Sequence, residues 1–167
     1  MATLWLVGMM GAGKSTVGPL VAERLGRPFV DLDEVVAAAA GASIPDLFDA
    51  EGEAGFRRRE AAALAQVAGS EAVVACGGGI VVDPENVAVL RRTGMVAWLA
   101  APAPVLAQRV GDDGGRPLAG AGEAALQVLA ASREAAYAGA AHCRIQTAGR
   151  SPEEVAEEVM RRWSESR

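Results

Sequence analysis

The run Gly8-Met9-Met10-Gly11-Ala12-Gly13-Lys14-Ser15 sets glycines, a lysine and a hydroxyl residue at the spacing G-x-x-x-x-G-K-[ST]. Glycine lets a loop curl so that successive N–H groups converge on an anion. A lysine adds a compact positive charge, and a serine hydroxyl can ligate a hard divalent cation. That combination suits the triphosphate of ATP: backbone and side-chain groups of Gly11, Ala12, Gly13, Lys14, Ser15 and Thr16 hold phosphate oxygens, Lys14 reaches the β and γ groups, and Ser15 meets magnesium. Of sixteen basic residues only Lys14 is a lysine. A flexible point charge and a planar guanidinium are not interchangeable in a tight phosphate cradle, so its placement carries information.

Two other nucleotide-binding designs fail on the same residues. A dinucleotide fingerprint reads G-x-G-x-x-G with no lysine after it, whereas here the order is Gly8-x-x-Gly11-x-Gly13 followed by Lys14 and Ser15. A guanine-specific Asn-Lys-x-Asp motif needs a second lysine, which the chain lacks.

The elements around the loop must present it at the end of a strand and the start of a helix. Leu4-Trp5-Leu6-Val7 reads as a buried strand, and Val17, Leu20, Val21 and Leu25 recur at helical spacing up to the stop at Gly26 and Pro28. A second strand, Phe29 to Asp33, ends in acidic residues, and Asp33 is positioned to cap a helix running to Gly41. Ser43, Pro45 and Asp46 open another helix, and a further one carries Phe56 through Val67. Val73-Val74-Ala75-Cys76 is a third strand that empties into Gly77-Gly78-Gly79, a second place where backbone can approach a ligand.

Pro84 to Arg92 reads as helix, Met95 to Leu99 as strand and Pro102 to Val110 as helix. Gly111-Asp112-Asp113-Gly114-Gly115-Arg116-Pro117 is too rich in glycine and charge to pack and reads as a mobile, lid-like loop. A helix through Arg133 and Tyr137, a strand near Cys143-Arg144-Ile145 and a helix capped by Ser151, Pro152 and Glu154 complete the chain. Strand and helix alternate throughout, which implies a parallel sheet covered on both faces, with ligands at the carboxyl ends of its strands.

Composition removes several function classes. The chain has 167 residues, 51% apolar and 22% charged, and these suit one globular α/β domain. A net charge of −5 opposes a general nucleic-acid surface, which concentrates positive charge. No window approaches about 18 uninterrupted apolar residues, and the start Met1-Ala2-Thr3-Leu4 lacks the basic residues of a secretory signal, so a cytoplasmic location without membrane contact is expected. Cys76 and Cys143 lack metal-type spacing and read as reduced core residues. His142, the single histidine, has no partner motif and reads as structural.

Several separated motifs then agree in order and spacing: the loop through Lys14-Ser15-Thr16, Asp31-Leu32-Asp33, Gly52-Glu53 leading to Phe56-Arg57-Arg58, the triple glycine from Gly77, Arg116-Pro117-Leu118, and Arg133 with Tyr137 four residues later. Over nearly its whole length the chain resembles the shikimate kinases, of the nucleoside-monophosphate-kinase-like P-loop group. The resemblance implies a three-layer α/β/α fold with a five-stranded parallel sheet and a mobile lid. It also implies magnesium-dependent transfer of the γ-phosphate of ATP to the 3-hydroxyl of shikimate.

By the same resemblance Lys14, Asp33 and Arg116 would be catalytic. Arg57, Arg133 and Gly78 would hold shikimate together with Asp33, whose carboxylate can accept the hydroxyl proton. Asp31 would face the magnesium shell through water, and Arg116 and Arg150 would meet the nucleotide. The whole chain, 1–167, would be one kinase domain with a shikimate-binding subregion at about 33–60 and a lid at about 111–122, acting as a monomer.

Arg57, Arg58 and Arg59 are adjacent and fan apart at helical spacing, so one ligand can meet only part of the set. Phe48 and Phe56 can wall the substrate ring or pack in the core, and Cys76 stands where many relatives carry a hydroxyl residue. Two other readings remain open, a related small-molecule kinase such as one acting on gluconate, and a nucleotide-binding regulatory module without turnover.

Overall fold

The computed structural model describes residues 2–111 and 122–167. Strands β1 (Thr3–Val7), β2 (Phe29–Asp31), β3 (Val73–Ala75), β4 (Gly94–Ala100) and β5 (Cys143–Gln146) form one parallel sheet in the order β2-β3-β1-β4-β5. The central strands are buried along their whole length, as parallel strands covered on both faces must be. The second strand is shorter than the sequence implies, because the chain turns into helix directly after Asp31.

Helices α1 (Lys14–Leu25), α2 (Leu32–Ala40), α3 (Ile44–Val67), α4 (Pro84–Thr93), α5 (Ala103–Gly111), α6 (Gly122–Ala140) and α7 (Pro152–Glu165) cover the sheet. The ladder register fixes what stands at the carboxyl edge: Asp31 pairs with Ala75, Ala75 with Leu6, and Val7 with Trp98. The residues that follow, Gly8 and Cys76-Gly77, therefore emerge side by side. β1 is the switch point, flanked by β3 and β4, where a crevice is expected.

Three local features set the site's frame. α3 is broken at Gly52, which adopts φ 69° and ψ −175°, a positive-φ conformation open to glycine, so two helical segments meet at that residue. Gly18 lets α1 approach β2, since a Cβ there would sit 2.2 Å from the Phe29 ring. Ser151 and Glu154 form the expected capping box on α7, with Ser151 Oγ accepting from Glu154 N at 3.2 Å and Glu154 Oε2 accepting from Ser151 N at 2.7 Å.

His142 is structural as expected: its Nδ1 accepts from Val96 N at 3.0 Å, so the proton of the neutral ring is on Nε2, and burial followed by the Arg91 charge lowers its pKa. Cys76 is buried at the end of the core and Cys143 is half-buried against it, both free thiols. Among the described residues no helix is long and apolar enough to cross a membrane.

Candidate active site

The phosphate-binding half is made mostly of backbone. Gly8, Gly11 and Gly13 have φ of 148°, 80° and 100°, in the range that side chains disfavour. Space excludes side chains as well at two of the three: a Cβ on Gly8 would meet the Leu99 carbonyl oxygen at 2.4 Å, and one on Gly11 the Leu106 carbonyl oxygen at 2.9 Å. α1 begins at Lys14 behind Gly13, with no side-chain cap and no acidic residue in its first turn. No side chain of the first turn therefore competes with an anion for the positive end of the helix.

Lys14 is buried, and its Nζ donates to the Gly8 and Met9 carbonyls at 2.7 and 2.9 Å, so the ammonium lies within the loop's concavity. Ser15 and Thr16 are exposed at the start of the helix. Arg109 of α5, which no sequence motif singles out, braces this half. Its guanidinium donates to the Gly11 carbonyl at 3.1 Å and to Thr147 Oγ1 at 3.0 Å, tying the loop to the turn after β5. Arg150 lies beyond that turn and donates to the Gln146 and Glu154 carbonyls, each at 3.1 Å; it does not line the neighbouring cavity.

That cavity, of about 340 Å³, adjoins the loop, and Met10 of the loop forms part of its wall. Asp31, Asp33, Arg57, Gly78 and Arg133 reach it from the end of β2, the first turn of α2, α3, the turn after β3, and α6. The structure corrects one expectation here. Asp31, not Asp33, is the N-cap of α2, and its Oδ1 accepts from Asp33 N at 2.9 Å. The cap is worth about 1 kcal/mol and places Asp33 at the second position of the helix, where its carboxylate faces the cavity.

The three consecutive arginines separate as the helical spacing requires. Arg57 faces the cavity, Arg58 is exposed, and Arg59 makes a two-pronged bond to Glu51 at 2.8 and 2.7 Å on the outer surface. Phe48 and Phe56 stack on each other, centroids 4.7 Å apart, and both line the cavity, so packing and wall are the same surface.

Sequence reasoning missed Glu60. It is fully buried on the apolar stripe Phe56, Glu60, Ala63, Leu64 of α3, and a charged residue inside such a stripe was the available signal. Its Oε1 accepts from Arg57 Nη1 at 2.8 Å, while Oε2 has no hydrogen-bond partner among the described residues. Burial raises the Glu60 pKa, and attraction to Arg57 only partly offsets this. A Cβ on Gly77 would sit 2.8 Å from Glu60 Oε2 and 3.2 Å from Asp33 Oδ1, so the first glycine of the turn gives room to two carboxylates. Arg116 and most of the lid segment lie outside the described residues.

A parallel α/β/α sheet with a glycine phosphate loop at its central strand, opening onto a cavity of paired cations and carboxylates, defines a P-loop phosphotransferase. The chain belongs to the shikimate kinase family, whose model, described as Shikimate kinase, matches residues 10–164. A shikimate kinase of Symbiobacterium thermophilum is 50% identical over 165 residues, spanning 96% of this chain and 95% of that relative. The solved structure of a shikimate kinase from Acinetobacter baumannii in complex with shikimate superposes with a TM-score of 0.94 at 36% identity, covering 100% of this chain and 95% of that one. A gluconokinase from Sinorhizobium meliloti shares the fold alone, with a TM-score of 0.60 at 18% identity over 99% of this chain and 93% of that one.

Proposed function

We propose that the chain transfers the γ-phosphoryl group of ATP to the 3-hydroxyl of shikimate, giving shikimate 3-phosphate and ADP. The observation that carries this reading is the cavity beside the phosphate loop, with Arg57 and Arg133 in its wall for a carboxylate and Asp33 for ring hydroxyls. A small ring with one carboxylate and several hydroxyls needs that division of charge. Each charge-assisted bond from an arginine is worth about 1.5 to 3 kcal/mol.

In this reading Gly11, Ala12, Gly13, Lys14, Ser15 and Thr16 hold the donor phosphates, and Gly78 contacts the acceptor through its backbone. Asp33 orients the 3-hydroxyl and takes its proton. The oxygen then bonds to the γ-phosphorus as the bond from that phosphorus to the β–γ bridging oxygen breaks. Lys14 balances the charge that builds on the transferring group. Arg116 adds charge from the lid and Arg150 meets the nucleotide.

The donor chemistry of Ser15 and Asp31, a hydroxyl and a carboxylate, fits magnesium, which prefers oxygen ligands and keeps much of its water. Bound there, the ion would neutralise phosphate charge, with Asp31 acting through water. We read 1–167 as one cytoplasmic, monomeric kinase domain, with acceptor contacts concentrated at about 33–60 and a lid at about 111–122.

Purified chain mixed with ATP and magnesium tests the reading. ADP release that requires shikimate, and is not supported by gluconate, is expected; ATP binding without any phosphorylated product would reject it in favour of a silent nucleotide-binding module.

A further inference from the structure

Tyr137 lies one helical turn beyond Arg133 on α6 and is 1% exposed. Its hydroxyl donates to the carbonyl of Gly78, a residue in the cavity wall. Its ring stacks on Trp98 of β4, centroids 5.4 Å apart and planes inclined by 23°, and the Arg144 guanidinium covers the Trp98 ring at 4.4 Å. The Arg133 guanidinium donates to the same hydroxyl, and a Cβ on Gly78 would be 3.4 Å from Arg133 Nη1 and 3.7 Å from Tyr137 Oη, so the hydroxyl joins the turn to that cation.

Two physical points give the hydroxyl a task. A phenylalanine would fill the same space against Trp98, and a buried hydroxyl is costly unless it is bonded. Its partner here is the backbone of a three-glycine turn, which has no side chains to restrain it and the greatest conformational freedom of any sequence. In a trans peptide the N–H of Gly79 points opposite the Gly78 carbonyl, so anchoring that carbonyl fixes the direction of the next donor as well. Burial pushes the Tyr137 phenol up to about 12, so the neutral donor persists at working pH.

We propose that Tyr137 is a positioning residue for the acceptor: its hydroxyl, held by the stack on Trp98, fixes the Gly78–Gly79 peptide beside Arg133 in the shape that binds shikimate. The inference rests on the acceptor reading above. It predicts an effect on one substrate only, because Tyr137 bonds the acceptor turn and not the phosphate loop.

The test is Tyr137→Phe, which keeps the ring. Expected are a rise of about ten-fold in the KM for shikimate, a KM for ATP and a saturated kcat within about two-fold of wild type, and faster amide hydrogen exchange at Ile80, whose N–H closes the turn onto the Gly77 carbonyl at 3.1 Å, with unchanged exchange at Ala12 of the phosphate loop. An unchanged shikimate KM, or shikimate and ATP KM values rising together, would overturn it. So would unchanged Ile80 exchange, and that readout needs no turnover. A wild-type chain that fails to turn over shikimate would instead reject the functional reading, while the exchange measurement would still show whether Tyr137 holds the turn.

Discussion

In the proposed function the two halves of the site would bind small molecules by opposite means. The donor half is nine consecutive residues, Gly8 to Thr16, whose geometry is dictated by positive-φ glycines and a helix start. The acceptor half draws Asp33, Arg57, Gly78 and Arg133 from separate elements, and only the strand order and register bring them to one cavity. A backbone site is rigid and tolerates almost no substitution in its glycines. A side-chain site can lose one contact and keep its shape. Mutations should therefore fail differently in the two halves.

The largest effect is expected at Lys14. Lys14→Ala leaves the charge on the transferring phosphoryl group uncompensated and should lower kcat by about 10²- to 10³-fold or more, with little change in shikimate affinity. Steady-state rates at saturating ATP check this, and wild-type turnover would remove Lys14 from catalysis.

Next comes a pair of glycines. Gly8→Ala puts a Cβ 2.4 Å from a backbone oxygen at φ 148°, and neither atom can yield. It should cost about 2 kcal/mol or more, seen as a fall in Tm of about 5 °C or more together with weakened ATP binding. Gly79→Ala puts its Cβ 2.2 Å from Arg57 Nη2, the movable end of a side chain, at an ordinary φ of −96°. The shikimate KM should then rise because the guanidinium must leave its place, while Tm falls less than in Gly8→Ala and only as far as the strained Arg57–Glu60 pair dictates. Equal losses of stability in both variants would erase the distinction between the halves.

Arg57→Ala should raise the shikimate KM by about 10- to 100-fold with a smaller change in the ATP KM. It also leaves Glu60 buried without its cation, so the variant's pH dependence is predicted. Glu60 already has a folded pKa above the ordinary 4.5, and removing Arg57 raises it further. Such a carboxyl supports folding fully below its unfolded pKa and loses that support as pH rises through the folded value. Arg57→Ala should therefore recover Tm towards wild type as pH falls to about 4.5, and adding Glu60→Gln should remove most of this pH dependence.

The smallest effect is expected for Glu60→Gln alone: a several-fold rise in shikimate KM as Arg57 loses its ion pair, with Tm equal to or above wild type at neutral pH. A large loss of Tm would make Glu60 a stabilising residue instead.

The same contrast explains what the sequence could convey. The donor loop is contiguous, so its spacing alone states its chemistry, and the strands and helices around it follow from apolar runs and glycine stops. The acceptor residues carry no mutual spacing. Arg57 was separable from Arg58 and Arg59 only through the family resemblance, and the structure then showed the fan that helical geometry requires. Asp31 and Asp33 compete for one cap, and two residues of spacing do not reveal that the chain leaves β2 at Asp31. Arg109 reaches Gly11 across 98 positions of sequence, a contact invisible to any local pattern. Glu60 was hidden because a glutamate on a helix ordinarily reads as solvated.

In the proposed function one cavity, assembled beside the phosphate loop, holds the acceptor. A crystal structure with shikimate and a non-hydrolysable ATP analogue tests it directly. The carboxylate should lie between Arg57 and Arg133 and the 3-hydroxyl within hydrogen-bond distance of Asp33, facing the γ-phosphate. Shikimate bound elsewhere, or bound with its carboxylate toward Asp33, would contradict it.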